Sequence, residues 1–66
     1  MKLNQKIEEE LKDAIKAAIK DGTSFPFKLR TIGDINHKIA TEKEASGHLI
    51  SVIEVEEKSY LIYLIS

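Results

Sequence analysis

The sequence predicts an α+β fold in which helices come first and a β-hairpin comes last. Three observations indicate this class: an apolar stripe at helical spacing in residues 3–20, a second such spacing in residues 28–39, and two strand-like segments in residues 54–65. The 66 residues predict a single domain, residues 1–66, of a size that buries only about 60% of the surface its unfolded chain exposes. Each large apolar side chain therefore matters for stability.

The first helix is predicted by apolar residues that recur three and four positions apart, a spacing that places them on one helical face. These residues are Leu3, Ile7, Leu11, Ala14, Ile15, Ala18 and Ile19. The lysines between them form a polar face that we interpret as solvated. Gly22 tolerates the left-handed conformation that ends many helices, so the helix is expected to end at about Asp21.

A short edge strand is expected next, at Phe25-Pro26-Phe27. Proline disfavours the helical conformation of the residue before it and lacks a backbone donor. Residues 28–39 then predict a second helix, whose apolar residues are Leu29, Ile32, Ile35 and Ile39. Gly33 lies inside this segment and costs about 1 kcal/mol relative to alanine, so the helix is expected to be short or kinked.

Residues 41–53 allow two interpretations. Thr41 and Glu44 have the spacing of a capping box, in which each side chain bonds the backbone amide of the other residue, and this favours a third helix to about Val52. Gly47 interrupts the helical pattern, however, and the β-branched residues after it are typical of a strand that begins at His48. The first interpretation gives helix, strand, helix, helix and hairpin. The alternative gives two helices with a longer C-terminal β-hairpin.

The last predicted strand, residues 59–65, is apolar on both faces. It is expected to pair with Glu54-Val55-Glu56 through a turn at Glu57 and Lys58. One face carries Tyr60, Ile62 and Leu64, and the other carries Leu61, Tyr63 and Ile65. Such a strand is typical of a central position that is covered on both sides. Helices account for one cover only, so we expect a homodimer or a bound partner to supply the other.

Composition narrows the classes of function. Without cysteine, neither disulfides nor thiolate metal ligands are available. The longest apolar run, residues 60–65, is far shorter than the roughly 20 residues that cross a bilayer, and the first residues lack the apolar segment of a signal peptide, so a cytoplasmic protein is expected. The net charge of −1 hides a gradient: residues 23–41 carry three cations and one acid, and residues 42–66 carry two cations and five acids.

The predicted order of elements resembles the winged helix-turn-helix fold. In this comparison Phe25-Pro26-Phe27 is the first strand, residues 29–39 are the second helix, residues 41–52 take the place of the recognition helix and residues 54–65 form the wing. Small winged-helix proteins of bacteria and their phages also look similar at the positions of Gly22, Phe25, Ala45-Ser46-Gly47-His48-Leu49 and Tyr60. The resemblance implies DNA binding and transcription regulation, or a protein-binding derivative of the same fold.

Our leading hypothesis from the sequence is therefore a small, dimeric DNA-binding regulatory protein. Phosphate contacts need cations, and base contacts need side chains that can hydrogen-bond to base edges. The candidate DNA-binding residues are Lys28, Arg30, Lys38 and Lys43 for phosphates, with Ser46 and Ser51 near bases. The acidic wing argues against this hypothesis, because a phosphate backbone would repel it.

The alternative hypothesis is a non-enzymatic protein-interaction module, or an inhibitor of phage or mobile-element type, on the same scaffold. It would dock through its acidic wing and its apolar strand face, namely Glu54, Glu56, Glu57, Leu61, Tyr63 and Ile65. An enzyme is not expected. His37 and His48 are the only histidines and lack a metal-ligand spacing, and no nucleophile, base and orienting group can be named together. No metal or cofactor is expected for the same reason.

Overall fold

The computed structural model describes residues 4–41 and 48–65, and within them one helix precedes a four-stranded antiparallel sheet. The α+β class predicted from the sequence is confirmed. The elements are α1 Gln5–Asp21, β1 Phe27–Thr31, β2 Ile35–Ala40, β3 Leu49–Val55 and β4 Lys58–Leu64. The order across the sheet is β1-β2-β4-β3, so β1 and β3 form its two edges.

Helix α1 confirms the first predicted helix and its end at Asp21. At its start, the Asn4 side chain accepts a hydrogen bond of 2.9 Å from the amide of Ile7, which satisfies one of the free amides of the first turn. At its end, Gly22 has a φ of 71°, and the amide of Thr23 donates to the carbonyl of Ala18 at 2.9 Å. The buried stripe is Ile7, Leu11, Ile15 and Ala18.

The second helix predicted over residues 28–39 is wrong, because these residues form the β1–β2 hairpin. Its turn runs through Gly33 and Asp34, which have positive φ angles of 84° and 58°, and the amide of Asp34 donates to the carbonyl of Thr31. Ile32, which the helical pattern counted as a core position, lies beside this turn and is 56% exposed. The edge strand expected at Phe25-Pro26-Phe27 begins only at Phe27, and β1 is an edge as expected.

The third helix is wrong from Leu49 onward, because Leu49–Val55 is strand β3. The alternative strand, expected to begin at His48, therefore agrees with the structure to within one residue. The capping box of Thr41 and Glu44 lies partly outside the described residues. The C-terminal hairpin is confirmed, with its turn at Glu56 and Glu57 and not at Glu57 and Lys58.

Strand β4 lies between β2 and β3, which confirms its predicted central position. One face of the sheet, here called the inner face, packs against α1. Its core residues are Leu11 and Ile15 of α1 with Ile39, Ile53, Val55, Tyr60 and Ile62 of the sheet. The ring of Phe25 closes the core beside Phe27 and Tyr60, with ring centroids 5.2 and 5.1 Å away.

The opposite face of the sheet, here called the outer face, carries the residues that alternate with the core positions. The sequence predicts that no element of the chain covers this face. In the structure, however, Tyr63 is only 4% exposed and Ala40 is fully buried. Leu61 and Ile65 are half-buried. The expectation that Tyr63 is exposed is therefore corrected, and part of the reason for expecting a dimer is removed with it. No helix of the described residues is long and apolar enough to span a membrane.

Candidate nucleic-acid interface

The β1–β2 hairpin brings three of the predicted DNA-binding cations onto the outer face. Lys28 and Lys38 are direct cross-strand partners, and Arg30 pairs with Asn36 one pair of residues further along the same face. The period of two along a strand produces this arrangement, because Phe27, Leu29, His37 and Ile39 turn inward and the residues between them turn outward. We call Lys28, Arg30, Asn36 and Lys38 the cationic face.

Local contacts hold side chains of the cationic face, of which Lys28, Arg30 and Asn36 are exposed and Lys38 is half-buried. Arg30 donates from Nε to the Asn36 Oδ1 atom at 3.4 Å, and its Nη1 lies 3.9 Å from the Asp34 Oδ1 atom. The Arg30 and Asp34 side chains are 66% and 86% exposed, so this ion pair contributes little to stability. The Lys38 Nζ atom lies 5.0 Å from the centroid of the Tyr63 ring, which fixes that ammonium over the centre of the outer face.

Acidic side chains lie near the opposite edge of the sheet, on β3 and in the turn that follows it. Glu54 of β3 faces outward and pairs with Ser59, and Glu56 and Glu57 form the β3–β4 turn. Strand β4 separates β3 from β2. At the usual strand spacing, the acidic strand β3 therefore lies about 10 Å from β2, the nearer strand of the cationic face. That distance is about one Debye length at physiological salt, so the acids weakly affect a ligand bound over β1 and β2.

The remaining predicted DNA-binding residues do not join the cationic face. Ser51 pairs with Ile62, which is fully buried in the core, so it lies on the inner side of the sheet. Lys43 and Ser46 lie outside the described residues. Asn36 was not singled out from the sequence, although the alternation of apolar and polar residues from Ile35 to Lys38 places it beside Lys38 on one face of a strand.

The residues predicted for a protein interface are dispersed. Leu61 and Tyr63 share the outer face, but Tyr63 is buried beneath Lys38. Ile65 follows β4, and its amide donates to the carbonyl of Asn36 at 3.0 Å. The apolar side chains with the greatest exposure near this region are instead Leu49, at 46%, and Val52, at 50%, both of β3.

His37 belongs to the core and not to a surface site. Its side chain is fully buried on the inner face, and neither ring nitrogen has a hydrogen-bond partner. Burial has the largest effect on His37 and lowers its pKa. The nearby backbone of Ile35 and the carboxylate of Glu10 raise the pKa and offset part of this lowering. Among residues 4–41 and 48–65, no group of three or more acidic or histidine side chains is placed to hold a metal ion. That the protein is not an enzyme stays a prediction.

Comparisons with known proteins add no relative. No protein-family model, no curated protein and no solved structure matches the chain. The winged-helix resemblance stays a prediction, and the order of elements that suggested it differs from the structure, in which residues 28–39 form a hairpin and Leu49–Val55 a strand.

Proposed function

We propose that this protein is a small, non-enzymatic DNA-binding regulatory protein that contacts its ligand through the cationic face. The observation that supports this function is the alignment of Lys28 with Lys38 and of Arg30 with Asn36 in adjacent cross-strand pairs. Four side chains with hydrogen-bond donors therefore point to the same side of one hairpin. Three of them, Lys28, Arg30 and Lys38, are also the cations that the sequence predicts for phosphate contacts.

The chemistry of these side chains divides into two roles. Lys28, Arg30 and Lys38 carry charges suited to phosphate oxygens, and such contacts supply most of the sequence-independent affinity. Asn36 carries the planar amide that reads adenine edges, and its Oδ1 atom lies 3.4 Å from the Nε atom of Arg30. A two-stranded β-ribbon fits into the major groove, and the end of the β1–β2 hairpin at Arg30 and Asn36 has this form because β4 pairs with β2 only from His37 to Ala40.

The overall charge of −1 is compatible with this role because the charge is divided across the sheet. DNA approaching over β1 and β2 meets the cationic face, while Glu54, Glu56 and Glu57 lie on the far side of β4. This division favours an approach of a polyanion over β1 and β2, because the cationic face attracts it and the acidic β3–β4 turn repels it. The winged-helix family and the homodimer expected from the sequence stay predictions, and the cationic face needs neither of them.

The test is the salt dependence of binding to a labelled random-sequence duplex. Three phosphate contacts give a slope of about −2.7 in a plot of log affinity against log salt, at about −0.9 for each contact. Binding should be measurable at about 50 mM salt and fall as salt increases. If the protein is not retained on a heparin column and does not bind the duplex at that low salt, this function is excluded.

A second candidate function is the protein-interaction module or inhibitor of phage or mobile-element type. The exposure of Leu49 and Val52 along an edge strand favours it, because exposed apolar residues at a sheet edge are typical of contact surfaces. Charge reversal at Glu54, Glu56 and Glu57 tests whether its acidic hairpin takes part. If the variant binds a captured partner as strongly as the parent protein does, the acidic hairpin is not the docking site.

A further inference from the structure

The edge of the sheet at β3 offers unpaired backbone groups. Within residues 4–41 and 48–65, strand β3 pairs with β4 alone, and Val55 and Lys58 flank the two-residue turn between them. Residues next to such a turn pair through hydrogen bonds, so alternate residues direct their amides and carbonyls away from the partner strand. In β3 these residues are Val52 and Glu54, and both are exposed.

The two edges of the sheet differ in their protection against strand addition. Edge β1 carries Lys28 and Arg30 and follows Pro26, which are features that block pairing with another chain. Edge β3 has neither lysine nor proline between Leu49 and Val55. Its register shift lies between Leu49 and Ser51, so the part from Val52 to its end pairs regularly and stays open.

Helix α1 overhangs this open part and forms a groove with it. The groove has a volume of about 340 Å³ and lies between the first half of α1 and β3. Its charged lining residues are Glu8, Glu9 and Lys12 of α1 and Glu54 of β3. The Glu54 side chain is directed to the outer face. The groove therefore holds the carboxylates of Glu8 and Glu9 against the ammonium of Lys12, an excess that favours a cationic occupant.

We propose that the β3 edge binds an extended, lysine- or arginine-rich segment of a partner protein, which adds to the sheet as a fifth strand. The backbone groups of Val52 and Glu54 supply the pairing, and the period of two assigns the side chains. Side chains that point toward α1 meet Glu8 and Glu9, so these positions are basic. Side chains that point to the outer face lie beside the exposed Val52, so an apolar residue fits there.

A second copy of this chain fits the same edge poorly. Pairing β3 with β3 would bring the Glu8 and Glu9 carboxylates of two copies to the same junction, and like charges there oppose association. The inference concerns the opposite edge from the cationic face and does not depend on DNA binding. Peptide binding should therefore persist when Lys28 and Arg30 are replaced by glutamine.

The experiment is an NMR titration of the ¹⁵N-labelled protein with a short peptide of alternating lysine and valine. We expect shifts at the amides of Val52 and Glu54, and slower hydrogen exchange of those two amides, with β1 unchanged. A peptide of alternating glutamate and valine is the matched control and should not bind. Equal response to both peptides, or shifts centred on the cationic face, would overturn the inference.

Two variants separate pairing from charge. Val52→Pro removes an outward amide and should abolish binding, while Val52→Thr keeps the amide and should retain it. Since Val52→Pro also carries a risk to the fold, Glu8→Gln combined with Glu9→Gln provides a second test on exposed helix positions. This double variant should weaken peptide binding roughly three- to tenfold. Unchanged affinity, or self-association through β3 in the absence of peptide, would contradict the proposal.

Discussion

Lys28 and Lys38 lie directly opposite each other on the β1–β2 hairpin, on the side of the sheet that α1 does not cover. Like charges in this position destabilise a strand pair by a few tenths of a kcal/mol up to about 1 kcal/mol. A bound phosphate turns the same repulsion into two attractive contacts. On the proposed function, the facing pair lowers the stability of the free hairpin and raises its affinity for an anion.

Removing the cations of the hairpin should reduce DNA affinity and its salt dependence together. Lys28→Gln combined with Arg30→Gln should flatten the slope of log affinity against log salt by about 2, about one for each lost contact. Titration of a labelled duplex at several salt concentrations measures the change.

The matched control for this prediction lies on α1. Lys6→Gln combined with Lys16→Gln removes two exposed cations from the helix and should leave the slope within error. If both double variants lose the same slope, binding reflects net charge and not the cationic face.

Reversing one charge of the facing pair should separate stability from binding. Lys28→Glu places opposite charges across the hairpin, so we expect the free energy of unfolding to rise by about 0.5 kcal/mol while DNA binding is lost. Urea denaturation and duplex titration measure the two effects. Lys28→Glu combined with Lys38→Glu restores like charges across the pair, so the gain should disappear, and a gain that persists in this double variant would refute the pairwise explanation.

The fold could be predicted from the sequence where only one pattern was present. Residues of α1 have helical spacing, a capping Asn4 and a terminal Gly22, and the helix was located correctly. Residues 27–39 carry two patterns at once. The spacing of four apolar residues matches a helix: Leu29, Ile32, Ile35 and Ile39. The alternation on either side of Gly33 and Asp34 matches a hairpin. The hairpin forms because Gly33 and Asp34 adopt the positive φ angles that its turn requires.

The candidate site was recognised by residue type but not by geometry. The sequence places Lys28, Arg30 and Lys38 in a predicted helix, and the helical period directs them to different sides. In strands, their even spacing within β1 and their register across the hairpin place them on one face. Asn36 was missed because its place on that face exists only after the register is known.

Acidification should destabilise the protein through His37. Because burial lowers its pKa in the folded state, the unfolded chain binds a proton first as pH falls below about 6.5. The contribution of neutral His37 to the free energy of unfolding is therefore fully present above that pH. Below it the free energy of unfolding decreases, by at most about 1.4 kcal/mol per pH unit for this group. Nearby Glu10 opposes the shift and narrows the affected range.

Urea denaturation between about pH 7.5 and pH 5 measures this loss. His37→Leu should flatten the pH dependence, since an apolar side chain removes two buried nitrogens that lack hydrogen-bond partners. His48→Gln changes an exposed histidine and should follow the parent protein. Equal flattening in both variants would assign the effect to overall charge.

The β3–β4 turn should gain stability from residues that suit its backbone. Glu56 and Glu57 have φ angles of 51° and 66°, as a type I′ turn requires, and residues other than glycine and asparagine adopt such angles at a cost. We expect Glu56→Asn combined with Glu57→Gly to raise the free energy of unfolding by about 1 kcal/mol, as measured by urea denaturation. Adjacent negative charges in the turn are a competing explanation for any gain. The control is therefore Glu56→Gln combined with Glu57→Gln, which removes the charges and keeps the strained backbone. A gain of the same size in this control would place the cost in charge repulsion and not in the conformation of the turn.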